Sequence, residues 1–493
     1  MAPDLPADLL PPDLIAALPL LSRPEAAAVL PGAADWADPA RPRWTLIDPA
    51  TEAPRALLPL SRGPEVEQAV RAARAGVGAG DRAAILARLI EEIGRRREPL
   101  AQAIRRDIGS PIDFARSRQV DAAVDHLRAI LNALQSHGNR DVIARGGHEV
   151  LYQPLGVAAL ITPWNWPLNQ VALKVGAALA SGCAMILKPS ELSTGAALIF
   201  AEAMAAAGAP PGVFTLLAGD GETGGRLAAH PGIDIVSFTG STAVGRSIAA
   251  AAGANLVPAL LELGGKSANL LFADCDLETA VRQGVAHCFR NSGQSCNAAS
   301  RMLVARDVYD AAVRLAAAEA AAVPVGPPDR PGAQLGPLVS RAQYDRVQAH
   351  IERALAEGAR LVAGGPGRHP EHPRGFYPRP TVFTDVTPDI ALFHEEVFGP
   401  VLAITPFADE VEAIRLANDS RYGLAGYVQT ADPDRQRRVA AALRVGMVQL
   451  NGRSRAEGAP FGGVGLSGYG REAGLWGIRA FQMVESVSGL DPL

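Results

Sequence analysis

From Val150 onward the chain alternates short apolar runs with helical stretches, and no other feature narrows the fold as far. The runs are Val157 to Thr162, Ala184 to Leu187, Val213 to Leu217, Ile233 to Phe238 and Ala259 to Leu263. Helical patterns lie between them at Val171 to Ala180, Thr194 to Ala206, Thr223 to Ala229 and Ala243 to Ala252. Strand and helix in regular alternation predict an α/β fold, a parallel sheet with helices on both faces. Ligands of such sheets bind beyond the carboxyl ends of the strands. A second alternating series runs from near Ala268 to about Val448, and the last 40 or so residues turn Gly-rich and then strand-like over Ala480 to Val487.

Upstream, Trp44 to Ile47 reads as a short strand. Glu65 to Ala75, Ala83 to Arg106 and Ile112 to Ser136 carry charges on one face and Leu, Ile and Val on the other, the helical period. Residues 1–42 are rich in Pro and Ala and read as a peripheral arm. The whole chain of 493 residues has room for about three domains. A net charge of −4 makes no electrostatic case for nucleic acid or an anionic membrane. No apolar run reaches the roughly 18 residues of a membrane span. The N-terminus lacks the basic start and apolar core of a secretory signal. Four cysteines without a CxxC pair point to reduced thiols in a cytoplasm.

Cys296 stands in FRNSGQSCNAASR, Phe289 to Arg301, after a helical pattern at Leu277 to Cys288. Ser295, Asn297, Ala298 and Ala299 are small enough to leave its sulfur approachable, and an approachable thiol at a helix end can act as a nucleophile. By itself a lone cysteine is more often a buried structural one. Glycine patterns are equally double-edged. Gly219-Asp-Gly221-Glu-Thr-Gly224 follows a strand, precedes a helix and fits the dinucleotide pattern best. Two further matches, from Gly463 and from Gly468, lie too close to the C-terminus for a βαβ unit and read as tight turns. Phe238 to Arg246 breaks the pattern, yet a strand ends at Gly240 and a helix begins at Ser241 or Thr242, where free N–H groups can hold a pyrophosphate. Physics alone leaves Gly219 and Gly240 as alternatives.

Seven segments together carry a resemblance. They are Pro163-Trp-Asn165-Trp-Pro167, Lys188-Pro-Ser-Glu191, Phe238 to Gly245, Leu261-Glu262-Leu-Gly-Gly-Lys266, Gly293-Gln-Ser-Cys296, Glu395 to Pro400, and Asn451 through Pro460 to Gly463. In this order they resemble the aldehyde dehydrogenase superfamily, over roughly Trp44 to Val487. The resemblance implies an aldehyde dehydrogenase-like fold: a Rossmann-type cofactor domain, an α/β catalytic domain and a small β oligomerisation hairpin. It implies a dinucleotide-binding domain from residues 1–131 and 152–263, a catalytic domain over 264–470, and oligomerisation strands at 132–151 and 478–490 of a homodimer or homotetramer.

The resemblance also implies roles. Cys296 attacks the aldehyde carbon. Asn165 and the Cys296 N–H hold the oxyanion. Glu262 is the general base that hydrolyses the thioester. It also favours release of a free acid over transfer to coenzyme A, the alternative chemistry, while a non-catalytic relative would be expected to lose one of these three residues. The cofactor is NAD, with NADP as the alternative. Lys188 and Glu191 reach the adenosine ribose. Trp164, Gly240 and Ser241 lie along the pyrophosphate, Glu396 holds the nicotinamide ribose, Phe398 packs near the ring, and Ser190 and Leu263 are further cofactor-binding residues. The Gly219 match is then a decoy. For the aldehyde, Arg290 lies six residues before Cys296, the spacing of an arginine that binds the distal carboxylate in succinate semialdehyde dehydrogenases. An ω-oxo acid is therefore a candidate substrate, with Arg453, Arg455, Trp166 and Phe461 as further pocket residues. His369-Pro-Glu-His372 lies in a Pro-rich loop, no HExxH occurs, and no catalytic metal is expected.

Overall fold

A computed structural model describes residues 29–36, 38–137, 140–143 and 148–489. β1 (Arg43–Ile47) and β2 (Pro54–Pro59) pair as an antiparallel hairpin. Helices Gly63–Gly76, Arg82–Arg95 and Arg97–Ile108 follow. The single helix expected over Ala83 to Arg106 is thus two. Pro99 has no N–H for the carbonyl of Arg95, so the first helix stops and Arg96 leaves helical geometry at φ −100°, ψ 16°. The stretch after Ile112 is helical to Ser136 but widens to a π-type turn over Ala115–Val120.

β3 (Arg140–Ile143) and β4 (His148–Pro154) come next, then β5 (Val157–Ile161), β6 (Ala184–Lys188), β7 (Phe214–Leu216), β8 (Ile235–Thr239) and β9 (Ala259–Glu262). The second series is β10 (Ala268–Leu271), β11 (Arg301–Ala305), β12 (Arg360–Ala363), β13 (Thr381–Thr384), β14 (Val401–Phe407), β15 (Ala425–Gln429) and β16 (Met447–Leu450). β17 (Gly468–Tyr469) and β18 (Gln482–Val487) end the chain. Three of these groups make the principal sheets: β17-β9-β8-β5-β6-β7, β12-β13-β14-β11-β10-β15-β16, and β18-β4-β3. The first two are parallel except at β17 and β12, and the third is antiparallel.

Every residue of β5, β6 and β8 is buried, as unbroken apolar runs covered on both faces require. The helices Pro167–Ser181 and Thr194–Ala206 are apolar nearly all round and are buried nearly all round. From β5 the chain steps one way to β6 and β7, and the other way to β8 and β9. The direction of winding reverses between β5 and β8, and a crevice opens there beyond Ile161 and Thr239.

Three expectations need correction. The hairpin begins at Arg140, because Leu131 to Ser136 still belong to the helix Asp121–Ser136, and it extends to Pro154. The C-terminal strand begins at Gln482, after a helix that holds Gly474–Ala480. The arm is not wholly peripheral: Leu30, Ala33 and Trp36 are buried in the largest core cluster, while residues 1–28 lie outside the described residues.

Candidate active site

The loop that carries Cys296 is held in an unusual backbone. After the helix Leu277–Phe289, residues Asn291, Ser292 and Gly293 all take positive φ, 55°, 57° and 73°. Glycine is required at 293, since a Cβ there would lie 2.1 Å from the Gly399 carbonyl. Buried amides lock the loop. Asn291 Nδ2 donates to the Asn165 carbonyl at 2.7 Å, and Asn165 Nδ2 donates to the Gln294 carbonyl at 2.9 Å. Trp166 Nε1 donates to Ser295 Oγ at 3.0 Å. The turn that follows β5 and the cysteine loop are thereby one rigid unit.

Cys296 stands between two cavities. The first, of about 140 Å³, is lined by Trp164, Asn165, Thr239, Gly240, Ser241, Leu263, Glu396 and Phe398, among others. It opens beyond β5, β8 and β9, at the switch in winding. Here the helix Thr242–Ala254 begins, with Ser241 Oγ accepting from the Val244 N–H. The second cavity is a funnel of about 340 Å³ lined by Trp166, Phe461 and three arginines, Arg118, Arg290 and Arg455. Only Gln170 and Cys296 line both. Burial, then the charges of Glu396 and Glu262, raise the Cys296 thiol above the ordinary thiol range, although the backbone N–H groups of Asn297 and Cys296 oppose that rise. Cys296 is half-buried and lines both cavities, so its sulfur is approachable from either side.

Two glycines after β9 allow the approach of the working groups. A Cβ on Gly264 would lie 2.3 Å from Glu396 Oε2, and one on Gly265 would lie 2.3 Å from the Cys296 carbonyl oxygen. Glu396 accepts from the Gly265 N–H at 3.0 Å, and burial pushes its carboxyl up to about 7. Glu262, the last residue of β9, is 2% exposed, and neither carboxyl oxygen has a hydrogen-bond partner among the described residues. Burial and then the charge of Glu472 raise its carboxyl well above the usual range. Glu472 is itself paired with Lys174, whose Nζ lies 2.5 Å from Glu472 Oε1 and donates to Ser237 Oγ at 2.8 Å. Two buried carboxyls thus share one buried ammonium. The charge of Glu472 thus opposes ionisation of Glu262 and makes its carboxylate the stronger base.

The sequence pattern that describes the Aldehyde dehydrogenase family matches residues 36–487. The chain belongs to that family. It is 43% identical over 454 residues to the 3-succinoylsemialdehyde-pyridine dehydrogenase of a Pseudomonas species, covering 90% of this chain and 95% of the relative. Among solved structures it is similar to aldehyde dehydrogenase C of Pseudomonas syringae, a mutant complexed with NAD+ and octanal, at 43% identity and a TM-score of 0.90, over 92% of this chain and 94% of that one. The aldehyde dehydrogenase of Bartonella henselae gives 43% identity and a TM-score of 0.89 over 91% and 96% of the two chains.

Most residues that the resemblance singled out are brought to the two cavities, and some are not. Lys188, Ser190 and Glu191 lie at the end of β6, outside both linings: Lys188 Nζ is 3.7 Å from Glu191 and donates to the Asp220 carbonyl at 3.2 Å, and Ser190 Oγ accepts from the Leu192 N–H. Glu262 is packed behind the first cavity against Gly462 and does not line it. Arg453 is exposed and absent from the funnel, beside the Gly452 turn at φ 70°, whereas Arg455, also expected there, lines it and stacks over Phe461 at 5.4 Å. The Gly219 loop is a helix cap, in which Asp220 accepts from the Glu222 and Thr223 N–H groups. Sequence reasoning missed Gln343 and Arg346 in the first cavity and Arg118, His126 and His287 in the funnel. These sit on amphipathic helices whose charges read as solvated faces, so no local signal marks them.

Proposed function

We infer that this aldehyde dehydrogenase oxidises its aldehyde with NAD+ through a thioester on Cys296, which water then hydrolyses with Glu262 as the base. The observation that carries this reading is the place of Cys296, the one nucleophile common to both cavities. An aldehyde entering by the funnel meets the sulfur from one side, and a cofactor in the first cavity faces it from the other. The first cavity suits a dinucleotide. The Thr239 hydroxyl is buried there without a partner, a helix N-terminus opens into it, and Gly240 and Gly264 leave its walls bare of side chains. A bound NAD+ supplies the hydride acceptor.

This chain's residues do the rest. Asn165 keeps one N–H of its amide on Gln294, which leaves the second for the oxyanion that forms as sulfur attacks the carbonyl. The sulfhydryl proton is lost to solvent water in the open funnel, and the C–S bond forms as the C=O π electrons move onto the oxyanion. Glu262, raised toward neutrality, is a stronger base than an exposed carboxylate, and it takes the proton of the water that attacks the thioester. Glu396 and Phe398 border the nicotinamide side; the Phe398 ring meets Trp164 edge-on at 5.5 Å. Lys188 and Glu191 are assigned to the adenosine ribose, where the carboxylate favours NAD over NADP.

The favoured substrate is an aldehyde with a distal carboxylate. Arg118, Arg290 and Arg455 surround the funnel, and neither Arg118 nor Arg290 pairs with a carboxylate among the described residues. His126 and His287 beside them are held neutral, at about 4 and about 3, by burial and by Arg455 and Arg290 respectively. A second reading, a neutral aryl keto-aldehyde like that in the name of the Pseudomonas relative, is favoured by the Trp166 and Phe461 rings in the same lining. The deciding experiment compares kcat/KM for an ω-oxo acid and its uncharged analogue in the native protein and in Arg290→Ala. Loss of a charged hydrogen bond should cost the oxo acid roughly 10- to 150-fold and spare the analogue. Equal losses for both would favour the second reading. Turnover that requires coenzyme A would remove Glu262 from its assigned role.

We further assign the chain to a homodimer or homotetramer in the cytoplasm. Met483 and Val484 on β18 and the nearby Trp476 are exposed apolar side chains that suit burial against another copy, and the four thiols are unpaired, as a reducing compartment keeps them. No helix among the described residues is long and apolar enough to cross a membrane.

A further inference from the structure

The loop between β12 and β13 holds a side-chain cluster that the oxidation does not use. His369, Glu371 and His372 each bring one ligand atom, a ring nitrogen or a carboxylate oxygen, to within 4.8 Å of the others. The backbone explains the convergence. The His372 N–H donates to the His369 carbonyl at 3.0 Å and closes the four-residue turn His369-Pro370-Glu371-His372. Such a turn sets its first and last side chains next to each other, and proline suits its second position. The two imidazoles lie 5.5 Å apart with planes 32° from parallel.

Each ring is prepared to accept an ion. His372 Nε2 lies 3.2 Å from the Val325 carbonyl, a contact that needs a proton on Nε2 and leaves the Nδ1 lone pair free. A backbone carbonyl on the far nitrogen is the usual support of a metal-bound imidazole. Tyr377 packs on the same ring at 4.5 Å and limits its rotation. His369 Nδ1 is buried and has no hydrogen-bond partner among the described residues. An unpaired buried nitrogen is costly, and coordination would satisfy it. Two guanidinium groups near the turn are already engaged: Arg379, whose charge reaches His369, donates from Nε to the Arg368 carbonyl at 2.9 Å, and Arg368 bonds to Glu52 and to the carbonyls of Pro373 and Gly375. Glu371 is exposed, and no described cation forms an ion pair with it.

We propose that His369, Glu371 and His372 bind one divalent transition-metal ion of the zinc type, with further positions open to water. Two imidazoles and one carboxylate suit zinc, cobalt, nickel or copper, whereas magnesium and calcium call for oxygen ligands throughout. The ion would tie this turn to the Val325 segment, and through Arg368 and Gly375, which donates to Glu52, to the turn between β1 and β2.

The test is equilibrium dialysis of the full chain against cobalt(II) chloride, read by metal content and visible absorption. Cys296→Ala serves as the background, so that thiolate binding at the active site cannot contribute. The proposal predicts about one cobalt per chain, absorption without a sulfur charge-transfer band, and displacement by zinc. Metal should be lost in Cys296→Ala/His369→Gln/His372→Gln. Because that variant can fold poorly, Cys296→Ala/Glu371→Gln, altered only at an exposed side chain, should weaken binding by about tenfold or more with an unchanged melting temperature. No cobalt retained at about 100 μM free metal, a binding free energy of roughly −5.5 kcal/mol, or retention unchanged in both the histidine and the glutamate variants, overturns the proposal.

Discussion

Gly462→Ala isolates the hydrolytic half of the reaction. Gly462 has φ +146°, and a Cβ there would lie 2.5 Å from Glu262 Oε1 and 2.8 Å from the Gly470 carbonyl oxygen. Comfortable carbon–oxygen packing needs roughly 3.3 to 3.5 Å, so the Glu262 carboxyl must retreat by about 0.8 to 1 Å or the glycine turn must move. A displacement of this size at a catalytic group costs up to about 100-fold in rate. The backbone strain adds about 1–3 kcal/mol of destabilisation, read as a lower melting temperature of an otherwise folded protein. Thioester formation depends on Cys296 and Asn165, which the new methyl does not touch. The variant should therefore release about one NADH per subunit in a stopped-flow burst and then turn over about 10- to 100-fold more slowly than the native protein. Hydroxylamine, which attacks a thioester without a protein base, should restore the slow phase. Steady-state rates within twofold of native, or a slow variant with no burst, would refute the placement of Glu262 at the hydrolysis step.

Three further outcomes follow from the same geometry. Glu396, pushed up to about 7, is mostly protonated at pH 6 and mostly ionised at pH 8, and its carboxylate would be the better acceptor for the hydroxyls of the nicotinamide ribose; calorimetric NAD+ affinity should thus rise severalfold across that interval and become flat in Glu396→Gln. Lys174→Met leaves Glu472 buried without its cation and should lower unfolding stability by about 3–5 kcal/mol in urea titrations, with loss of native melting behaviour as the marker. Gly264→Ala should raise the Kd for NAD+ at least about tenfold, because the methyl occupies the space of the Glu396 carboxyl while Cys296 stays in place.

The fold was legible where burial is two-sided. β5, β6 and β8 are unbroken apolar runs because helices cover both their faces, and such runs stand out against the helical period. Boundaries that depend on one missing hydrogen bond or on tertiary docking were less visible, as at Pro99, at the start of β3 and at the helix before β18. Cys296, Asn165 and Glu262 were legible only through the order of their motifs; each alone has an ordinary structural explanation. The glycine pattern at Gly219 shows the opposite hazard, a good match that proves to be a helix cap, while the cavity forms at Gly240. Arg118, Gln343 and Arg346 were invisible because chain packing, not local spacing, turns their helices toward the cavities.

The central claim, a thioester on Cys296 that Glu262 helps water to break, is tested most directly by intact-mass analysis of Glu262→Gln quenched in acid seconds after mixing with aldehyde and NAD+. The account predicts one NADH per subunit and a protein heavier by the acyl group, with the added mass mapped to Cys296. NADH formed without any acyl adduct, or an adduct on another residue, would contradict it.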